Sequence, residues 1–568
     1  MGITEFIRAE RDYGSFSETL IAQLKTSARP RPIVVSGLCE GAATSFYTCL
    51  AVDVNVAGGT GTLFLVPGDT EAATLFRRLS NAGIRTLLYP TRDLLFHNAI
   101  ASHESEHERL FVLAKIMSGE WDAVVATPDA ALSFTMPPSA LEERIITLSL
   151  GEEIPREELL RRLTDAGYVR AEEAGGVGLF SIRGGIIDIY PMTLDDAGSD
   201  NSDSSKDGNA GDMRLDPMPV RLEFFGDEID RISIFDPETQ RTINSVTKTT
   251  ILPVRELCPR YEERKAIEKV ARSLAEKAKD ETVRAQLSSE AEYAANGLSI
   301  PSLDKYMKLV FGGGVCLLDY FEDMGRMAII TTDVNGVKKR LDGYMWQLGE
   351  DIKEMLADGL ITPELAEYSF YEDKFDLFRE KNAHVACSTF SPAGMSGRSL
   401  AGLYGFSSRR GIAYSGNMSL LAEDAASFLR GGYKIAVACG NETAAEVTAS
   451  ALRDAGVNAV AAPDVSYKDM KPGVVYTIPA AEAEGYELLL SRIVLLSFTS
   501  DTENRRTKSH TRASGAGRRA GTASQKILSY NDLTPGDYVV HEAYGIGRYL
   551  GIENLTTAGV SRDYIKIQ

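Results

Sequence analysis

The sequence predicts an α/β protein of several domains, and three stretches carry that expectation. Residues 1–150 alternate short apolar strands with helical segments, the pattern of a parallel sheet covered by helices. Residues 178–242 switch to a period of two, with Val220, Leu222 and Phe224 alternating with Arg221 and Glu223, as in half-buried strands. Residues 533–567 alternate apolar and polar residues around glycine turns, as small twisted β-barrels do. With 568 residues the chain exceeds the roughly 250–300 residues at which single cores stop growing, so several domains are required.

The elements follow in chain order. Strands are expected at Ile33–Val35, Leu63–Val66, Thr86–Leu88 and Val124–Ala126. Asp69-Thr70 after Gly68 starts one helix, and Ser102 starts another that carries Leu110, Leu113 and Met117 on one face. This first domain spans 1–145. A second unit, 146–252, holds isoleucines 182, 186, 187 and 189 around Gly184-Gly185. Between Leu194 and Pro219 it is interrupted by aspartates mixed with Ser, Gly and Asn, a composition that cannot bury a core and reads as a disordered insertion. Residues 253–378 begin with a long helix whose stripe is Ile267, Val270, Ala271, Leu274 and Ala278, expected to pack back on the first domain. A smaller α/β domain follows at 379–500, with strands at Lys434–Cys439, Val457–Ala461, Val474–Ile478 and Ile493–Leu496 and no glycine fingerprint for a nucleotide. Residues 501–527 contain seven basic and no acidic residues between Arg505 and Lys526, a flexible linker or else a nucleic-acid contact. The barrel occupies 528–568.

Composition removes several function classes. Apolar residues make up 44% and charged residues 25%, both ordinary for globular proteins, and no apolar run reaches the roughly 18 residues of a membrane span. The first ten residues lack a signal-peptide core, so a cytoplasmic location is expected. Six scattered cysteines without a C-x-x-C pair argue against a disulfide framework and a zinc ribbon. A net charge of −19 opposes autonomous binding to a phosphate backbone.

Four motifs bear on chemistry. Strand 33–35 runs into Ser36 to Ser45, where a phosphate-binding loop would lie; Gly37 and Thr44 fit its pattern, but Ala42 replaces the second glycine and Ala43 the lysine. Alanine supplies neither the charge nor the donor that the β and γ phosphates need, so nucleotide hydrolysis is not expected there. The companion acidic motif, Met327 to Asn335, keeps Asp333 but has Val334 in place of the second carboxylate. His103-Glu104-Ser105-Glu106-His107 satisfies the H-E-x-x-H pattern, in which two histidines on one helix face share zinc and the glutamate acts as base; the plainer reading is a polar helix start whose acids serve the dipole. Arg183 lies beside the glycine pair, where it either pairs with Asp188 or Glu223 or faces a partner.

The order of Phe180-Ser181-Ile182-Arg183-Gly184-Gly185, Asp188 to Pro191, Arg221 to Asp230 and Phe235 to Arg241 resembles domain 2 of the excision-repair helicase UvrB and of bacterial transcription-repair coupling factors. The His541 to Gly551 pattern resembles the RNA-polymerase-interacting domain shared by coupling factors and CarD-type regulators. UvrB would have an intact phosphate loop and no barrel, so the coupling-factor family is the better match. That resemblance implies a degenerate RecA/helicase-like first domain with an inserted UvrB-type domain 2, a second small α/β domain and a partial SH3/Tudor-like barrel. It also implies UvrA binding at Arg183 with Arg170 and Phe180, although UvrB carries a further arginine where this chain has Ser181. RNA polymerase β subunit is the implied partner of the barrel, with Ile546, Tyr549 and Leu555 as contacts. In the family, ATP, magnesium and double-stranded DNA belong to motor domains beyond the barrel; no cofactor or metal and no catalytic residue is expected in this segment. Gln568 falls inside an expected strand, so the chain reads as a piece of such a factor: the adaptor part of a protein that releases stalled polymerase and recruits UvrA. The alternatives are a nucleotide-hydrolysing UvrB-like helicase and a zinc protease.

Overall fold

The computed structural model of the chain describes residues 4–25, 29–92, 103–194, 217–237, 239–388, 399–463, 465–480, 483–499, 538–541, 545–557 and 560–567. Ser102, nearly all of the 194–219 insertion and the basic stretch 505–526 lie outside them.

Seven parallel strands form the first sheet, in the order Gly402–Gly405, Ile33–Ser36, Ala383–Ser388, Ala328–Thr331, Thr62–Leu65, Ala123–Ala126 and Thr86–Tyr89. The four strands expected from the first domain are present, and strands Ala383–Ser388 and Gly402–Gly405, from the stretch expected to form the smaller α/β domain, complete the same sheet. Alternation along each strand divides the core. Phe64 and Val125 join Phe46, Leu50 and Val54 of helix Glu40–Val56, whereas Leu63, Leu65 and Val124 join Leu110 and Leu113 of helix Glu104–Ser118. Helices therefore cover both faces, which is why these strands read as continuous apolar runs. The second of these helices begins at Glu104 with His103 at its N-cap position.

The inserted unit is a six-stranded sheet ordered Thr242–Val246, Glu228–Phe235, Val220–Phe225, Ile186–Ile189, Leu179–Arg183 and Val169–Arg170. All its pairings are antiparallel except the last. Ile187, Leu222 and Ile232 pair across it and are fully buried. The Gly184 backbone, at φ +61, closes the tight turn before Ile186 without a side-chain penalty. This unit shares one continuous apolar core with the first sheet.

Helix Tyr261–Lys277 buries Ile267, Ala271 and Leu274 of the expected stripe, while Val270 is half-buried and Ala278 stands at the C-cap. Its Ile267 and Ala271 meet Ala291 and Ala294 of the next helix, Glu281–Ala295, and Leu348 and Met355 of helix Val334–Asp358; the first domain adds Phe134. A further mixed sheet runs Ser408–Arg410, Tyr486–Leu488, Ile493–Thr499, Lys434–Cys439, Val475–Pro479 and Ala459–Ala461, with Ala413–Ser415 paired to Ile493–Thr499. Residues 1–499 form one compact unit and 500–568 another. In the second, Tyr538–His541, Gly545–Thr557 and Val560–Ile567 make an antiparallel sheet.

Candidate functional sites: a closed nucleotide-type loop and a polar sheet face

The loop after Ile33–Ser36 leads into helix Glu40–Val56, the position a phosphate loop would take, but is filled by the chain itself. Gly37 sits at φ +81, and a methyl group there would lie 2.0 Å from the carbonyl oxygen of Phe406. The Phe406 N–H donates to the Ser36 carbonyl at 2.8 Å, the Ser408 hydroxyl accepts the Cys39 N–H at 2.7 Å, and that hydroxyl donates to the Gly37 carbonyl at 2.9 Å. Thr44, which would face a metal ion, accepts a 2.9 Å hydrogen bond from Arg78, itself paired to Glu484. Asp333 caps helix Val334–Asp358 by accepting the Asn335 N–H at 3.1 Å. Ala43 adds no charge. A nucleotide with its magnesium does not fit these residues: the loop is sterically closed, its Cys39 amide is satisfied and its one carboxylate serves a helix end.

The H-E-x-x-H segment is a structural pin. Arg255 can only donate, so His103 Nε2 accepts its 2.8 Å contact and Nδ1 carries the proton directed at Glu106, 3.2 Å away. Both ring nitrogens of His103 are thus engaged. Glu106 also accepts the Glu256 N–H at 2.6 Å. Burial alone would push the Glu106 carboxyl up, but His103 and the charges of Arg255 and Arg92 outweigh it and hold the pKa down at about 2. Burial pulls His107 down to about 4. Beneath them, buried Glu256 accepts from Arg92 and Arg109, and Arg92 reaches Asp304, a paired network that ties the helix to segment 254–256. No group of three metal-ligating side chains occurs among the described residues.

The charged residues of the inserted sheet separate into two sets. Ser181, Asp188, Arg221 and Ser233 align in one row across four strands. Arg221 holds Asp188 through Nε and one terminal nitrogen at 2.6 and 2.9 Å, stacks on Phe235 at 4.6 Å from the ring centre, and donates to the Gln240 side chain at 2.9 Å. Asp236 explains this: its side chain accepts the Thr239 N–H and its carbonyl the Gln240 N–H, which presents Gln240 to Arg221. Arg183 is left at the rim, its side chain 48% exposed and 3.7 Å from Asp188.

The three residues expected to bind UvrA do not form one patch. Phe180 is 3% exposed and belongs to the core, so it positions its strand and offers no contact surface. Arg170, on the exposed two-residue edge strand, pairs with Phe180, three residues from Arg183, which places the two arginines on opposite faces of the sheet. Sequence reasoning did not single out Phe225, which is 80% exposed at the tip of the Val220–Phe225 strand. The Phe224 N–H donates to Gly185 at 2.8 Å, so this tip adjoins the glycine turn that follows Arg183. Its signal was the broken alternation Phe224-Phe225 before Gly226. Ile546, Tyr549 and Leu555 lie on strand Gly545–Thr557, level with Val540, Ile567 and Arg562.

Two family models match the chain: the UvrB interaction domain over residues 146–198 and 213–257, and the CarD-like/TRCF RID domain over 533–568. A transcription-repair-coupling factor of Bacillus subtilis (strain 168) is 28% identical over 576 aligned residues, covering all of this chain and 45% of the relative. The chain is thus similar over its whole length to a transcription-repair-coupling factor. The factor of the same name from Staphylococcus epidermidis is 26% identical, with 84% of this chain and 39% of the relative covered, and that of Staphylococcus aureus (strain MRSA252) is 25% identical. The chain thus spans less than half the length of these coupling factors. The closed loop at Gly37 and the exposed Arg183 are the two features of this chain that the geometry singles out.

Proposed function

We propose that this chain is the adaptor portion of a factor that couples RNA polymerase stalled at a lesion to excision repair. Residues 533–568 engage the polymerase β subunit by a strand-edge contact, with Ile546, Tyr549 and Leu555 on the strand that serves it. Arg183 and the adjoining Phe225 engage UvrA, the arginine supplying charge-directed hydrogen bonds and the aromatic ring a desolvated anchor. Arg170 contributes at the sheet edge. The observation that carries this reading is the presence, in one chain, of the UvrB interaction domain and the CarD-like/TRCF RID domain, beside a nucleotide-type loop that is closed. ATP-driven translocation on double-stranded DNA belongs, on this reading, to the remaining length of the family. A cytoplasmic protein is the matching location; no helix among the described residues is long and apolar enough to cross a membrane.

Purified UvrA retained on the immobilised chain tests the proposal. Arg183→Glu should weaken retention at least about tenfold, equivalent to roughly 1.4 kcal/mol, and leave retention of RNA polymerase unchanged. Ile546→Glu should do the reverse. Undiminished UvrA binding by Arg183→Glu would remove UvrA from this face. The nucleotide-hydrolase alternative requires ATP turnover that a change at Thr44 abolishes.

A further inference from the structure

We infer that the segments 405–411 and 483–488 are a built-in occupant of the nucleotide-type site, so that the first domain binds its own downstream domain where a nucleotide would sit. Three contacts carry this inference. The Cys39 amide, placed to meet a phosphate oxygen, instead meets the Ser408 hydroxyl, which returns a hydrogen bond to Gly37. The backbone of Glu484 lies on the start of helix Glu40–Val56, where a methyl at Gly41 would stand 2.9 Å from the Glu484 carbonyl oxygen. Arg78 joins Glu484 to Thr44, spending the hydroxyl that matches a metal-binding position.

Burial turns these contacts into a lock. Ala42 and Phe46 share one apolar cluster with Tyr486, Leu488, Ile493 and Leu495, all at most 2% exposed. Lifting the downstream domain away would expose that cluster together with the polar contacts, so the loop opens only at the cost of a cooperative unit. The loss of the loop lysine and the filling of the loop are therefore separate obstacles. Restoring the phosphate-loop residues cannot by itself restore binding, because the space and the Cys39 donor are already taken. The downstream domain thereby has a role of its own: it fills the nucleotide-type site and holds the joint closed.

The test uses the full chain, amide hydrogen exchange, and the fluorescent analogue methylanthraniloyl-ATP with magnesium. In the unaltered chain the Cys39 amide should exchange at least about 100-fold more slowly than in unfolded chain, since its donor is buried and bonded. Exchange at the unfolded rate overturns the inference. Ser408→Ala and Glu484→Arg, singly, should speed exchange at residues 37–45 and 484–488 together, at least about threefold, while residues 220–235 keep their rates. Rates unchanged in both variants, or raised on one side only, refute the lock. The Ala42→Gly, Ala43→Lys double variant should show no saturable binding of the analogue up to millimolar concentration; micromolar binding would show that the site was never occupied.

Discussion

Arg221, and not Arg183, holds Asp188: two hydrogen bonds of 2.6 and 2.9 Å link the first pair, whereas the second stands at 3.7 Å. Asp188 is buried and Arg221 partly so, which makes this the ion pair that organises the polar row of the inserted sheet. Sequence alone offered Arg183 as the partner of that carboxylate. The difference decides what substitutions in this sheet report.

Arg221→Ala leaves a buried carboxylate without its main partner and should destabilise the inserted unit by about 3 kcal/mol. Arg183→Ala, at the rim, should cost less than about 1 kcal/mol. Chemical unfolding of both variants measures the contrast; equal effects would return Arg183 to the role of a structural ion pair. UvrA binding is best read from Arg183 variants, because Arg221 variants confound binding with folding.

Acidification should loosen the His103–His107 region in two steps. Unfolded His107 takes up its proton near the ordinary value of 6.5, but the folded side chain does so only near 4, so the unfolded state binds more protons between those values and stability falls as pH drops through that window. Glu106 acts in the same direction lower down: its carboxylate contributes fully above about 4.5 and the contribution is lost as pH falls toward 2. Urea midpoints measured at pH 7, 5.5 and 4 should decline, and His107→Gln should flatten the upper part of that decline. Metal analysis of the purified chain should find no stoichiometric zinc that His103→Ala removes, since His103 Nε2 faces the Arg255 guanidinium.

Glu290 is the acceptor of a second buried cluster, receiving Ser302 and Lys305 at one oxygen and Tyr306 at the other. Lys305 is fully buried, and burial lowers its pKa against the pull of Glu290. Glu290→Ala should therefore cost about 3 kcal/mol or more, by stranding an ammonium in the helical layer. Adding Lys305→Met should recover most of that loss, because an apolar pair of similar volume needs no counter-ion. Thermal unfolding of the single and double variants gives the answer; additive losses would show that the two side chains act independently.

The legible parts of this protein were those written in local order. Strand period and turn residues located the first-sheet strands 33–36, 62–65, 86–89 and 123–126, because a strand buried under helices must be apolar whatever surrounds it. Ala42 and Ala43 argue against nucleotide chemistry for an equally local reason: charge and donor are properties of the residue type. Phe180 misled because an aromatic beside an arginine reads the same whether it faces solvent or core. Phe225 went unnoticed because a hairpin tip is defined by the pairing of its flanks.

What the sequence determined by itself is the inventory: which first-sheet strands exist, which residues of the nucleotide motifs are replaced, and which ordered motifs resemble those of coupling factors. What tertiary structure decided is the use of that inventory. Phe406 meets Gly37 and Glu484 meets Arg78 across gaps of hundreds of residues, with partner 406 residues away in the second case. Side-chain periodicity carries information over a few turns or strands, whereas these contacts depend on how a second sheet packs against one helix. That packing closed the loop; within the inserted sheet, the pairing of Val220–Phe225 with Ile186–Ile189 set Arg221 against Asp188 and left Arg183 at the surface.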